Sequence, residues 1–294
     1  MLLEPRIHYT APQKLTQRLP SAFEPLEPLE EITDWGREIR IGNSFTRELD
    51  LYRAITAYKR ALALLPLARI DLKSHIEYNI VLCYFLGNRY GDAIEYYESH
   101  SLSEVEISFP ALENLLIILY ESYHQIGIED KACAALMLLE KYYPETAKNL
   151  LLGTAVREGK FLDIGVYAEN HPQKEALMSW MQRYQCEALS VRKAQTLNAL
   201  LPGMGYYYVG QPQSAITSFV LNALFTAAAW QLYEKNHIAL GTIVASLEAG
   251  WYLGGINGAG LAAKEYNEKL YGEYGKEAMY ELNLFPALQF KCVF

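Results

Sequence analysis

Cysteine is scarce in this sequence: Cys83, Cys133, Cys186 and Cys292 are the four in 294 residues, far apart and without a Cys-x-x-Cys pair. No histidine stands at metal-ligand spacing beside them, so they read as buried helix thiols rather than disulfides or metal ligands. Positive charge is short as well. The chain has 26 Lys and Arg against 34 Asp and Glu, a net charge of −8 and a pI near 5.4. Such a balance argues against phosphate-backbone binding, and no nucleic-acid partner is expected. Catalytic patterns are missing too: there is no Gly-x-Ser-x-Gly, His-Glu-x-x-His or Gly-Lys-Ser/Thr. Gly203-x-Gly205 follows no strand pattern and lacks the third glycine at dinucleotide spacing, while His8, His75, His100, His124, His171 and His237 are scattered. The expectation is no enzyme, no catalytic residue, no cofactor and no metal. Met1 to Arg6 shows no basic start followed by an apolar run, so no secretory signal is read there.

Long apolar runs, by contrast, are present. Ala215 to Tyr233 and Ile238 to Ala263 each approach the ~20 residues that cross a hydrocarbon core. Only Glu234-Lys235-Asn236-His237 separates them, which predicts an antiparallel membrane hairpin with both flanks on one side. Core helices of a soluble domain are the competing reading, favoured by Asn222, Gln231 and Glu248, since a carboxylate in hydrocarbon is costly. Against it, Glu248 is the only charge from Ile238 to Ala263, and soluble helices expose a polar stripe. Pro202, Gly203, Gly205, Tyr208 and Gly210 precede the hairpin as a turn too rich in Gly and Pro to continue a helix. Gly250-x-x-x-Gly254-x-x-x-Gly258 offers a close-approach face for packing and for self-association. Asn222 and Glu248 lie at one depth and are expected to meet, with Glu248 protonated or bonded to Asn222.

A longer period runs upstream. Ala54, Tyr58, Ala61 and Pro66 are matched in spacing by Ala132, Leu136, Leu139 and Pro144, with Ala93 and Tyr97 between, a period of 39 residues. That is a helix pair plus loop of the tetratricopeptide kind, in which a small residue admits the neighbouring helix and proline stops the second helix. Gly127 is placed at a turn. Helical segments are then predicted over Glu145 to Arg157, Phe161 to Glu169 and Gln173 to Leu200, as a degenerate last unit. Lys264 to Lys269 reads as the end of the second membrane helix, and Leu282 to Phe294 as an edge strand or a loosely docked tail.

Two stretches carry a resemblance. Leu201-Pro202-Gly203-x-Gly205-x-x-Tyr208-x-Gly210, Phe219-x-x-Asn222-Ala223-Leu224-Phe225, Glu248-Ala249-Gly250-Trp251-Tyr252-x-Gly254, and Ala262-Ala263-Lys264-x-Tyr266-Asn267 form the first. Arg53-Ala54-Ile55-Thr56-x-Tyr58-Lys59-Arg60 is the second. Together they resemble an uncharacterised bacterial envelope family in which tetratricopeptide repeats precede a membrane hairpin. That family usually has Gln at Tyr206 and Asn-Ile-Tyr-Gly-Ala at Gly255 to Ala259. The resemblance implies a membrane-anchored repeat protein.

The expected fold is therefore all-α: an extended or disordered segment 1–30 holding five of the twelve prolines, a tetratricopeptide-like array 31–195, a two-helix transmembrane hairpin 196–270 and a tail 271–294. Asn43, Asn79, Tyr84, Asn114 and Tyr123 are the candidate groove residues for a protein or peptide partner. A clamp for a C-terminal carboxylate is set aside, because Ile39, Asn114 and Ile118 stand where such clamps need cations. Basic residues Arg183, Arg192, Lys193, Lys264 and Lys269 flank the hairpin, so the bacterial inner membrane with cytoplasmic flanks is expected, in contact with lipid. The alternatives are a soluble adaptor without spanning helices, or an accessory subunit of a membrane enzyme or transporter using Glu248.

Overall fold

A computed structural model of the protein describes residue 7, residues 19–169 and residues 171–294. His8, Pro5, Pro12 and most of the segment read as extended lie outside the described residues. The described chain is all-helical, its only strand-like feature an isolated parallel bridge between Ser21 and Val293. It divides into two compact units, taken in turn.

The first unit comprises residues 8–155, 163–167 and 279–294. After one helical turn at Pro28–Glu31 come α1 (Asp34–Arg47), α2 (Leu51–Leu64), α3 (Ile70–Leu86), α4 (Tyr90–Ser99), α5 (Leu112–Gln125), α6 (Glu129–Tyr142) and the start of α7 (Pro144–Glu158). Helix at Pro28–Glu31 departs from the extended reading of residues 1–30. Proline is tolerated at a first helical position, and Glu27 and Glu30 form a reciprocal cap. Each helix from α1 to α5 packs on the next, and α3 also lies against α5.

The 39-residue period is a property of the backbone. Leu49, Asn88 and Gly127 are all left-handed, with φ of 58°, 56° and 76°. The following amides, Asp50, Arg89 and Ile128, each donate to a carbonyl five residues back, on Phe45, Tyr84 and Tyr123, at 2.9 Å. This is the Schellman ending, which satisfies a carbonyl the helix leaves open. Helices α2, α4 and α6 start in register after it. Ala54, Ala93 and Ala132 are 0 %, 0 % and 2 % exposed, as tight helix crossings require. Leu65, before Pro66, is extended (ψ 132°), which ends α2.

The second unit comprises residues 1–7, 156–162 and 168–278. It contains α9 (Lys174–Glu187), α10 (Val191–Leu200), α11 (Met204–Tyr208), α12 (Pro212–Glu234) and most of α13 (Ile238–Glu281), with α8 (Phe161–Ala168) shared between units. The segment expected as one helix from Gln173 to Leu200 is broken at Ala188 to Ser190. Ser190 caps α10 by accepting from Lys193 N, and the Asn267 amide grips Leu189 at both its N–H (2.7 Å) and its C=O (2.8 Å). Helix α13 does not end at Lys264 to Lys269 as expected. It runs on to Glu281, because nothing from Lys264 onward breaks it and Lys264 pairs with Glu268 one turn later at 3.3 Å.

Candidate functional site

The inner face of the first unit is a groove, and it is filled. Positions 36, 75, 114 and 153 recur at the 39-residue period, and each meets another part of the same chain. A Cβ on Gly36 would collide with the Glu30 carbonyl, and one on Gly153 with the Leu284 carbonyl. Between them, the His75 ring stacks on Phe23 with centroids 3.7 Å apart. Asn114 holds the tail: its Nδ2 donates to Cys292 O at 2.6 Å, and its Oδ1 accepts from Lys291 N at 3.1 Å. Further along, Asn149 Nδ2 donates to Gln289 Oε1 at 3.0 Å, and Val293 N donates to Pro20 O at 2.9 Å.

From Gln289 to Val293 the tail is buried at every position except Lys291. Phe290 (4 % exposed), packed on Phe85, and Cys292 (8 %) point in, while Lys291 points to solvent. The 3-10 turn Pro286–Gln289 and Val293 are buried as well. Neither expected form of the tail describes this, since it is buried core with one bridge rather than a strand or a loose end. Burial pushes His75 down to about 4, with Asp71 opposing, and lifts the Cys292 thiol to about 11, with the Tyr78 hydrogen bond opposing. Cys292 is thus a buried thiol outside any helix, and Cys133 and Cys186 are exposed, so only Cys83 matches the expected buried helix thiol.

The five candidate groove residues are not brought to one surface. Asn43 is half-buried and accepts from Tyr58 OH at 2.7 Å; Asn79 is fully buried beside the same ring. Asn114 lies under the tail. Tyr84 and Tyr123, one period apart, meet cations: Lys59 Nζ donates to Tyr84 OH at 3.2 Å, and Lys131 sits over the Tyr123 ring while Tyr123 OH donates to Glu98 at 2.6 Å. Of the five, Tyr84 alone lines the open cleft of ≈ 990 Å³ between α2, α3 and α4, with Lys59, Lys73, Glu77 and Tyr96. Sequence reasoning missed His75, Phe23 and Phe290. The period places 36, 75, 114 and 153 in one row, but Gly, His, Asn and Gly share no chemistry that draws the eye.

No family model, curated protein or solved structure matches this chain. Geometry therefore carries the functional reading.

In the second unit the turn residues have steric reasons. Gly203 is left-handed (φ 92°), packs on the Ala215 carbonyl and donates its N–H to Asn198 Oδ1 at 2.9 Å. Gly205 sits where a Cβ would strike Ala194 O and Ala259. Tyr208 OH accepts from Ser190 N at 3.2 Å, and Gly210 is left-handed (φ 82°) just before Pro212 opens α12. The short helix α11 stands between Pro202 and Gly210, within the stretch read only as a turn.

Helix α12 is the one helix among the described residues long and apolar enough to cross a membrane, and most of its apolar stretch is not buried. Its large side chains face outward, among them Leu224 at 61 % and Trp230 at 70 % exposure. The first half of α13 does the same through Leu247 (62 %) and Leu253 (64 %), although glycines and Glu248 dilute its apolarity. Tyr233 OH donates to Thr242 Oγ1 at 3.3 Å next to the left-handed Asn236 of the link.

Asn222 and Glu248 do share a cleft of ≈ 570 Å³ with Trp230 and Tyr252, but the expected bond between them is not made. Asn222 Nδ2 donates back to Ser218 O at 2.6 Å, which turns its Oδ1, like Glu248 Oε2, to a place without a partner. Of the small-residue face, Gly258 is covered by Tyr206 OH, whereas Gly250 and Gly254 face open space.

Proposed function

We propose that this chain is a membrane-anchored tetratricopeptide-like scaffold that binds a protein partner through its first unit, with α12 and the first half of α13 as a hairpin in the bacterial inner membrane. The outward-facing apolar side chains on both helices carry the reading. Leu, Ile and Trp at half exposure or more on two consecutive long helices cost a water-soluble protein a large apolar patch, and cost nothing against lipid tails. The basic flanks support a cytoplasmic first unit. Helix α13, at about 1.5 Å per residue, is about twice as long as a ~30 Å hydrocarbon core, so its part beyond Ala263 continues outside the bilayer.

Carbonate extraction tests the anchor: the protein is expected in the membrane pellet, and release into the supernatant overturns it. Reporter fusions after Lys193 and at Asn236 test the sidedness, with only the second expected to be exported. A second reading, an accessory subunit of a membrane enzyme or transporter, is favoured by the unpartnered Asn222 Oδ1 and Glu248 Oε2 in one cleft. An associated activity that survives Glu248→Gln removes it.

A further inference from the structure

We infer that the inner groove of the first unit is a peptide-binding site held shut by residues 284–294 of the same chain, and that its exchanging ligand is an extended peptide of the pattern aromatic-x-small-β-branched. The inference rests on the scaffold reading above and names its ligand class.

Three observations carry it. The grip on the tail is centred on main-chain groups that any peptide carries: Asn114 accepts from the amide of Lys291 and donates to the carbonyl of Cys292, and it touches one tail side chain besides, Cys292 Sγ at 3.2 Å. An amide side chain that pairs with both groups of an extended backbone reads conformation and leaves sequence to the neighbouring pockets. Strand-like pairing supplies the second contact, from Val293 N to Pro20 O beside the Ser21 bridge. Side-chain selection is the third. Phe290 enters against Phe85, Cys292 lies against the Tyr78 and Asn114 side chains, Val293 is 1 % exposed, and Lys291 contributes no buried group. The helices from α1 to α6 pack consecutively on each other, and the tail adds Ala287, Phe290, Cys292 and Val293 to their shared core. The turn at Asn283, left-handed with Leu284 N bonded to Met279 O, ends α13 before the tail begins and gives the segment a defined point from which to leave.

The test uses the full chain in detergent with Cys133→Ser and Cys186→Ser, and a synthetic peptide of residues 285–294 carrying Ser at the Cys292 position. Saturating peptide is expected to raise the alkylation rate of Cys292 at least tenfold, while a scrambled peptide leaves it unchanged. A fluorescein-labelled copy is expected to bind a Phe290→Ala, Val293→Asp chain at least tenfold more tightly than the intact chain, and Asn114→Ala in that variant is expected to abolish the gain. An alkylation rate indifferent to the peptide, or equal for the scrambled one, overturns the inference. The alkylation arm keeps the native tail, so it decides even if the doubly substituted tail fails to fold. A chain that pellets with membranes but ignores the peptide fails here and leaves the anchor standing; a chain that exchanges the peptide yet is released by carbonate does the reverse.

Discussion

His75 makes the stability of the first unit dependent on mild acid. Its ring is 8 % exposed, stacked on Phe23 and held neutral by burial, with a pKa pushed down to about 4 against an ordinary 6.5. In the unfolded chain the ring takes a proton near pH 6.5. The folded-state value is depressed, so the associated stability is complete above about 6.5 and is lost as pH falls toward 4. Integrating the difference in bound protons from pH 7.5 to 5 gives a loss of about 2 kcal/mol, and the full gap between the two pKa values corresponds to about 3 kcal/mol. For a folding unit of this size that is roughly 4–8 °C in Tm between pH 7.5 and 5. Scanning calorimetry of the detergent-solubilised chain, run in parallel on His75→Phe, isolates the term, since every other titrating group is common to both. The wild type is expected to lose about 2 kcal/mol more than the variant over that interval. Parallel curves would refute the reasoning, because they would mean that His75 is protonated or solvated in the folded protein.

The remaining expectations concern packing, turns and the hairpin. Leucine in place of Ala54, Ala93 or Ala132 overpacks a fully closed helix crossing and is expected to cost about 1–3 kcal/mol in chemical denaturation. Gly127→Ala meets no atom within 4 Å, so its expected loss of about 1–2 kcal/mol reports left-handed backbone strain alone; an unchanged midpoint would mean the turn rearranges. Asn114→Ala orphans the Lys291 amide and the Cys292 carbonyl together and is expected to cost about 2–4 kcal/mol by the same measurement. Because Asn222 bonds Ser218 and not Glu248, Asn222→Leu and Glu248→Leu are expected to add within about 0.5 kcal/mol in a double-mutant cycle, and a larger coupling would show contact.

The period was legible in the sequence because its steric demands fall on residue types that stand out: Ala at the crossings, Gly127 at a turn, and Pro66 and Pro144 after α2 and α6. The long apolar helix α12 was legible by length and composition. What lay hidden was decided by long-range contacts. Asn114 meets Lys291 and Cys292 across 177 and 178 positions, and no local pattern announces which groove residue will hold a backbone. The end of α13 was misplaced because charge alone does not stop a helix, and Lys264 with Glu268 supports one. The break before α10 carries neither Gly nor Pro; a serine cap and the distant Asn267 make it. Asn222 shows the same limit at one residue, since depth set by spacing brought it beside Glu248 but its own helix carbonyl took the hydrogen bond.

The distance along the chain between the groove and the segment that fills it has a consequence during synthesis. Helices α1 to α6 are complete once Tyr142 has left the ribosome, whereas Cys292 follows about 150 residues later. At roughly 5–20 residues per second, the side chains around Tyr78, Phe85 and Asn114 wait about 8–30 s for the tail, during which α12 and α13 are also being made. A nascent chain therefore exposes these core side chains to the ribosome exit environment before it can cover them itself.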